Sequence, residues 1–231
     1  MAKMGWAIQR MHGQTAIMDT IAAADMRYVD WPDRMNPRLA ESSADIALVF
    51  SDSTRKWGRA VAYLPDLGGW SQCLTDAHLL HDIVLDRDLA PDRLAKYRLV
   101  LLPSVSCLSE AQMDALRTYV RKGGRILVTG PTSMQDELGF MRKDFGLADM
   151  LGIRFEGASP AGRILNWNAN PVVLDQVGTK ARVIDTNRVQ VLAWNQSGPH
   201  PTTPGITAAP WGDGWIFYDA NRLGIYNMAF E

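Results

Sequence analysis

Two stretches of this 231-residue sequence gather acids, bases and an aromatic just where apolar runs give way to polar ones. Ser51-Asp52-Ser53-Thr54-Arg55-Lys56-Trp57-Gly58 follows one such run, and Gly130-Pro131-Thr132-Ser133-Met134-Gln135-Asp136-Glu137 follows another. Two carboxylates flanking a scissile bond are the equipment of glycoside hydrolysis, and an indole face can stack on a sugar ring. Asp52, Arg55, Trp57, Asp136 and Glu137 are therefore the candidate ligand-binding residues, and a carbohydrate is the ligand class they suit. Asp136 and Glu137 are neighbours that point apart on most backbones, and nothing in the spacing opposes Asp52 to either. Solvated loop charge is the competing explanation, so no residue is assigned a catalytic role.

Cys107 follows a strand-like run and precedes a helix start, a position that can lower a thiol pKa and make a nucleophile. No histidine falls in a corresponding loop to serve as its base, and a small apolar filler is the better reading. Cys73 and Cys107 have no metal-ligand spacing, and His12, His78, His81 and His200 are scattered, so no metal site is expected. No GxGxxG, Walker A, GxSxG or HExxH pattern occurs, and no cofactor is expected.

Composition narrows the partners. Twenty-four basic against 25 acidic residues give a net charge of -1, without the basic excess of a nucleic-acid or anionic-membrane binder. No apolar run approaches the roughly 20 residues that span a bilayer. MAKMGWAIQRMHGQ lacks the apolar stretch of a secretory signal, and two cysteines make no disulfide framework, so a cytoplasmic location is expected. Tryptophan is in excess, with 8 against 6 Phe and 6 Tyr. That suits either sugar stacking or surfaces that other chains cover.

The elements that must position these residues alternate. DIALVFS (45–51), IVLDRDL (83–89), YRLVLLPS (97–104) and RILVTG (125–130) read as strands, the longer apolar runs being those of strands buried on both faces. LGGWSQCLTDAHLLHD (67–82) and SEAQMDALRTYVRKGG (109–124) read as helices. The second opens on a capping box of Ser109 and Gln112, shows an apolar face of Met113, Leu116, Tyr119 and Val120, and stops at Gly123-Gly124. This is the βα alternation of a doubly wound parallel sheet, whose ligands bind beyond the carboxyl ends of the strands. FGLADMLGI (145–153) adds a short helix. GRILNW, ARVIDT, VQVLAWN, GITAAPW and GWIFYDA then make residues 154–231 a β-rich C-terminal extension, with WGDG (211–214) as a tight hairpin turn. Residues 1–43, with a helix over Ile8–Ile21 and the turn-forming WPDRMNP (31–37), read as a connecting and packing segment. One α/β domain is expected over 44–231, with its parallel core at 44–153.

The ordered set His81-Asp82-Ile83-Val84, Asp88-Leu89, Tyr97-Arg98-Leu99-Val100-Leu101-Leu102-Pro103, Leu108-Ser109 and Tyr119-Val120-Arg121-Lys122-Gly123-Gly124 resembles the middle, trimerisation domain of family 42 glycoside hydrolases. LADMLGIRFEG is similar to that family's "L-x-x-L-L-G-V" helix, and Gly212, Gly214 and Tyr218 stand where its closing hairpin has them. The likeness runs from about residue 44 to 225.

The resemblance implies a flavodoxin-like sheet of the class I glutamine amidotransferase type without amidotransferase chemistry: Ile126–Gly130 carries no cysteine and no late His-x-Glu follows. It implies that the catalytic glutamates reside on a preceding TIM barrel, which alone takes roughly 250 residues; Glu41 and Glu110 have no barrel-strand context. The expected function is a non-catalytic trimerisation or support domain, with sister chains forming a homo-oligomer or a TIM-barrel catalytic domain as partner. A small carbohydrate-active hydrolase or sugar-binding protein using the strand-end cleft is the alternative. Such a support domain should expose apolar surface for its partners to cover.

Overall fold

The computed structural model describes residues 42–58, 63–167, 170–198 and 202–227. The expected helix at Ile8–Ile21 and the WPDRMNP turn lie outside the described residues. Ala44–Glu231 forms one compact unit.

Strands β1 (Ile46–Phe50), β3 (Leu99–Leu102) and β4 (Arg125–Thr129) lie side by side in parallel, as their apolar runs require. Ala47, Leu48, Val49, Val100, Leu102, Ile126 and Val128 are fully enclosed. β2 is His81–Leu85, two residues earlier than the expected 83–89, and Asp86–Asp88 coil into a 3₁₀ turn. The shift is tolerable because β2 is an edge strand, paired on one side only, where His81 and Asp82 keep access to water.

Helix α1 (Asp52–Trp57) is a correction: the polar stretch after β1, expected to be a loop, is helical. Ser51 caps it by accepting from the Thr54 amide at 2.9 Å, and its hydroxyl donates to Asp86 Oδ2 at 2.8 Å. Helix α2 (Tyr63–Asp76) starts before the expected 67 and ends before 82. A one-turn helix, α3 (Pro91–Leu94), leads into β3. Helix α4 (Glu110–Arg121) carries the expected capping box: the Gln112 amide donates to Ser109 Oγ at 3.3 Å and Ser109 N–H to Gln112 Oε1 at 2.8 Å. Its Met113, Leu116, Tyr119 and Val120 face is buried. The short helix in 145–153 is α5 (Ala148–Leu151), ended by Gly152 in the left-handed conformation.

The later chain forms β5 (Ile153–Ser159), β6 (Arg163–Trp167), β7 (Asn170–Leu174), β8 (Gly178–Val183), β9 (Gln190–Gln196), β10 (Thr203–Trp211), β11 (Gly214–Asp219) and a final turn α6 (Gly224–Asn227). Gly212-Asp213 makes the two-residue hairpin turn, with Gly212 at φ +60°. This part does not stand apart as an extension. β11 pairs in parallel with β4, from Trp215 opposite Arg125 to Asp219 opposite Thr129. The sheet is therefore mixed, in the order β2-β1-β3-β4-β11-β10-β9-β6-β7 among the described residues. Its first five strands are parallel; β10, β9, β6 and β7 continue it antiparallel. β5 and β8 form a separate antiparallel pair. Burial drives the insertion: Ile216 and Tyr218 of β11 join the core that Met113, Leu116 and Val120 cover.

Candidate functional site

The first candidates meet at the carboxyl ends of β1, β3 and β4. Cys107 N–H donates to Thr54 Oγ1 at 3.0 Å, Gln135 N–H to Ser106 O at 2.9 Å, and Gln135 Nε2 to Gly139 O at 2.7 Å. These bonds hold the 134–141 loop against α1. Arg142 clamps the loop from below, donating to Leu108 O at 2.9 Å and also to Gln135 O. Cys107 is buried and its thiol is pushed up, chiefly by burial, which suits a filler rather than a nucleophile.

The loop carboxylates have local partners. Asp52 is 2.5 Å from Lys56 Nζ and 2.7 Å from Arg55 Nη2, and first Lys56 and then Arg55 hold its carboxyl below its ordinary value. Asp136 Oδ1 accepts from the amides of Leu138 at 3.0 Å and Phe140 at 2.9 Å, closing the turn. Glu137 is exposed. Trp57 is 56% exposed, and Leu138, Phe140 and Met141 are more exposed still. The structure thus turns this corner into an apolar knob edged by Asp136 and Glu137.

Beside it lies a buried polar cluster that sequence reasoning missed. Asp66 of α2 accepts from Ser104 Oγ at 2.7 Å and from Thr129 Oγ1. Ser104 sits at φ +48°, a strained position for a non-glycine residue. Asp219, at the end of β11, accepts from the amides of Asn221 at 2.8 Å and Leu223 at 2.7 Å. Burial pushes its carboxyl up to about 7, against those amides, and Asp66 adds to the rise. Asp66 is likewise raised by burial. One signal existed in the sequence: an aspartate closing the apolar strand GWIFYD.

A third feature is a groove of about 630 Å³ across the face of the sheet opposite α4. Trp70, Leu127, Leu165, Trp167, Leu192 and Phe217 line it, with Arg98 and Arg125 at the strand starts and Asp219 at the strand ends. Trp167 and Leu192 are more than a third exposed. In a doubly wound sheet a helix would cover such a face; among the described residues Trp167 and Leu192 stay open there.

The matched family model, described as the β-galactosidase trimerisation domain, covers residues 44–227. The chain belongs to the β-galactosidase trimerisation domain family. The trimerisation domain is 28% identical over 201 residues to β-galactosidase BbgII of Bifidobacterium bifidum, 80% of this chain but 29% of that protein. Its fold matches a β-galactosidase from Bacillus circulans sp. alkalophilus with a TM-score of 0.71 at 15% identity, over 87% of this chain and 33% of that one. It also matches the β-galactosidase of Rahnella sp. R3, with a TM-score of 0.70 at 16% identity, over 94% of this chain and 36% of that one. The chain therefore spans about a third of the length of these relatives. The support role expected from the sequence is what this family assignment gives.

Proposed function

We propose that the chain assembles as a ring-shaped homotrimer by seating the 136–141 loop of one copy in the sheet-face groove of the next. The carrying observation is that the described residues present two separate uncovered apolar surfaces. A closed ring of three joins unlike surfaces, one given and one received by every copy. The two also match in charge: Asp136 and Glu137 edge the knob, and Arg98 and Arg125 stand at the groove. In that assembly the domain supports a TIM-barrel catalytic domain acting on β-galactosides, the activity carried in the names of its relatives.

The parallel order β2-β1-β3-β4-β11 supports a flavodoxin-like sheet of the amidotransferase type, and free Cys73 and Cys107 support a cytoplasmic location. Size-exclusion chromatography with light scattering tests the assembly. Three chains of 25.7 kDa per particle is the expected mass; a single chain at every concentration contradicts it.

A second reading uses the same corner for a carbohydrate, with the exposed ring of Trp57 as platform and Asp52, Arg55, Asp136 and Glu137 around it. Titrating galactose while following tryptophan emission separates the two, since a saturable change lost in Trp57→Ala favours this reading.

A further inference from the structure

Arg163 opens β6 and is 1% exposed, and among the described residues no carboxylate is within ion-pair distance of it, although Asp219 is near enough to act on it through space. Its Nη1 donates to Ser159 O at 3.0 Å and to Pro160 O, and its Nη2 to Asn221 Oδ1 at 3.3 Å. Its Nε has no partner. A buried cation without a direct ion-pair partner is costly, and a guanidinium has five N–H groups to satisfy.

A cavity of about 440 Å³ adjoins it, walled by Ser159, Arg163, Lys180, Asn195, Ser197 and Thr203 together with Ala158 and Pro160. Asn195 is 2% exposed, its Nδ2 donates to Asn221 Oδ1 at 2.9 Å, and its Oδ1 has no partner. Lys180 stands at the rim, 46% exposed and 3.7 Å from Glu156, a carboxylate it shares with Arg182. Two glycines make room for this arrangement. A Cβ at Gly178 would lie 2.4 Å from Arg163 Nη2, and one at Gly205 2.7 Å from Asn195 Oδ1. The cavity sits beside Ala220 and Asn221, just past the carboxyl end of β11, the side where open α/β sheets bind ligands.

We infer that this cavity binds a small hydroxylated oxyanion, a sugar acid or a sugar phosphate. The guanidinium and the rim ammonium supply the charge for the carboxylate or phosphate. Ser159, Asn195, Ser197 and Thr203 line the cavity and supply polar partners for sugar hydroxyls. Among the described residues no carboxylate lines the cavity itself, Glu156 reaching only the rim Lys180, and its volume falls within the range of small-molecule sites. A purely structural arginine would account for the Ser159 and Pro160 contacts. It leaves Arg163 Nε and Asn195 Oδ1 without partners, beside a cavity that both residues line.

Isothermal titration of the full chain with D-glucuronate, D-glucose 6-phosphate and neutral D-glucose tests this, at low and high salt. Saturable binding of at least one charged sugar, weakened by salt and absent for glucose, is expected, and the tighter of the two identifies the head group. Lys180→Ala, at an exposed rim position that leaves the fold intact, should weaken it severalfold, and Arg163→Lys by about tenfold or more. The inference is overturned if neither charged sugar saturates, if glucose binds equally, or if Lys180→Ala binds as wild type. If Arg163→Lys fails to fold, the ligand comparison and the Lys180→Ala titration still decide.

Discussion

Gly139 lies directly against Trp57: a Cβ built on Gly139 would stand 2.8 Å from Trp57 Cβ and 2.9 Å from its carbonyl oxygen. Gly139 also has φ +86°, a backbone conformation that other residues rarely adopt. Only glycine lets the 136–141 loop close onto α1 and present Phe140 and Met141 outward. Gly139→Ala should therefore destabilise the fold by about 1–3 kcal/mol and lower the assembled fraction. Urea unfolding followed by tryptophan emission, together with light scattering, reads both effects; an unchanged midpoint would contradict the packing described.

The capping box on α4 gives a second expectation. Ser109→Ala frees the Gln112 amide and should cost about 1 kcal/mol. Gln112 also donates to Asp86 O at 2.9 Å, so it ties the helix start to the end of β2. Ser109→Ala and Gln112→Ala combined should lose less than the sum of the two, because the box works as a unit. A double-mutant cycle in urea checks this, and strict additivity would mean that the two residues act independently.

Asp219 makes stability depend on pH with a definite sign. Its folded pKa is raised to about 7 from the ordinary 3.8, so the folded chain holds a proton that the unfolded chain has released. This contribution is fully present below the unfolded value and is lost as pH rises through the folded one. The unfolding midpoint should fall between about pH 4 and pH 7 and level off above that range. Asp219→Asn keeps an acceptor for the Asn221 and Leu223 amides and removes the charge. It should flatten that slope and raise the midpoint at pH 8. Thermal unfolding of both proteins from pH 4 to pH 8 measures it, and parallel curves would contradict the assignment.

How far residues alone disclosed this molecule depended on burial. The β1, β3 and β4 runs were legible because strands buried on both faces must be continuously apolar, and α4 because its box and apolar stripe agree. Helix α1 was not legible: Asp52–Trp57 is polar, and it forms because the Ser51 hydroxyl caps it and Asp86 orients that hydroxyl, a partner 35 residues away. The insertion of β11 beside β4 was hidden for the same reason, since parallel pairing leaves no local mark. The corner residues Asp52, Arg55, Trp57, Asp136 and Glu137 were nameable as polar strand ends. That Leu138, Phe140 and Met141 stand outward there required the Asp136 turn and the Gly139 approach. Asp66 and Arg163 were invisible, because a charged residue in sequence does not announce that it will be buried.

Ring assembly through unlike surfaces is tested most directly by mixing two variants. Phe140→Asp spoils the knob and Leu192→Arg spoils the groove, both at exposed positions. Each variant alone should sediment as a single chain. An equimolar mixture should form a heterodimer, since the intact knob of one still fits the intact groove of the other, and should grow no further. Sedimentation velocity of the wild type, of each variant and of the mixture reads all of these states. Wild-type trimers, monomeric variants and a mixed dimer are expected; variants that still assemble, or a mixture that stays monomeric, would contradict the seating of the loop in the groove.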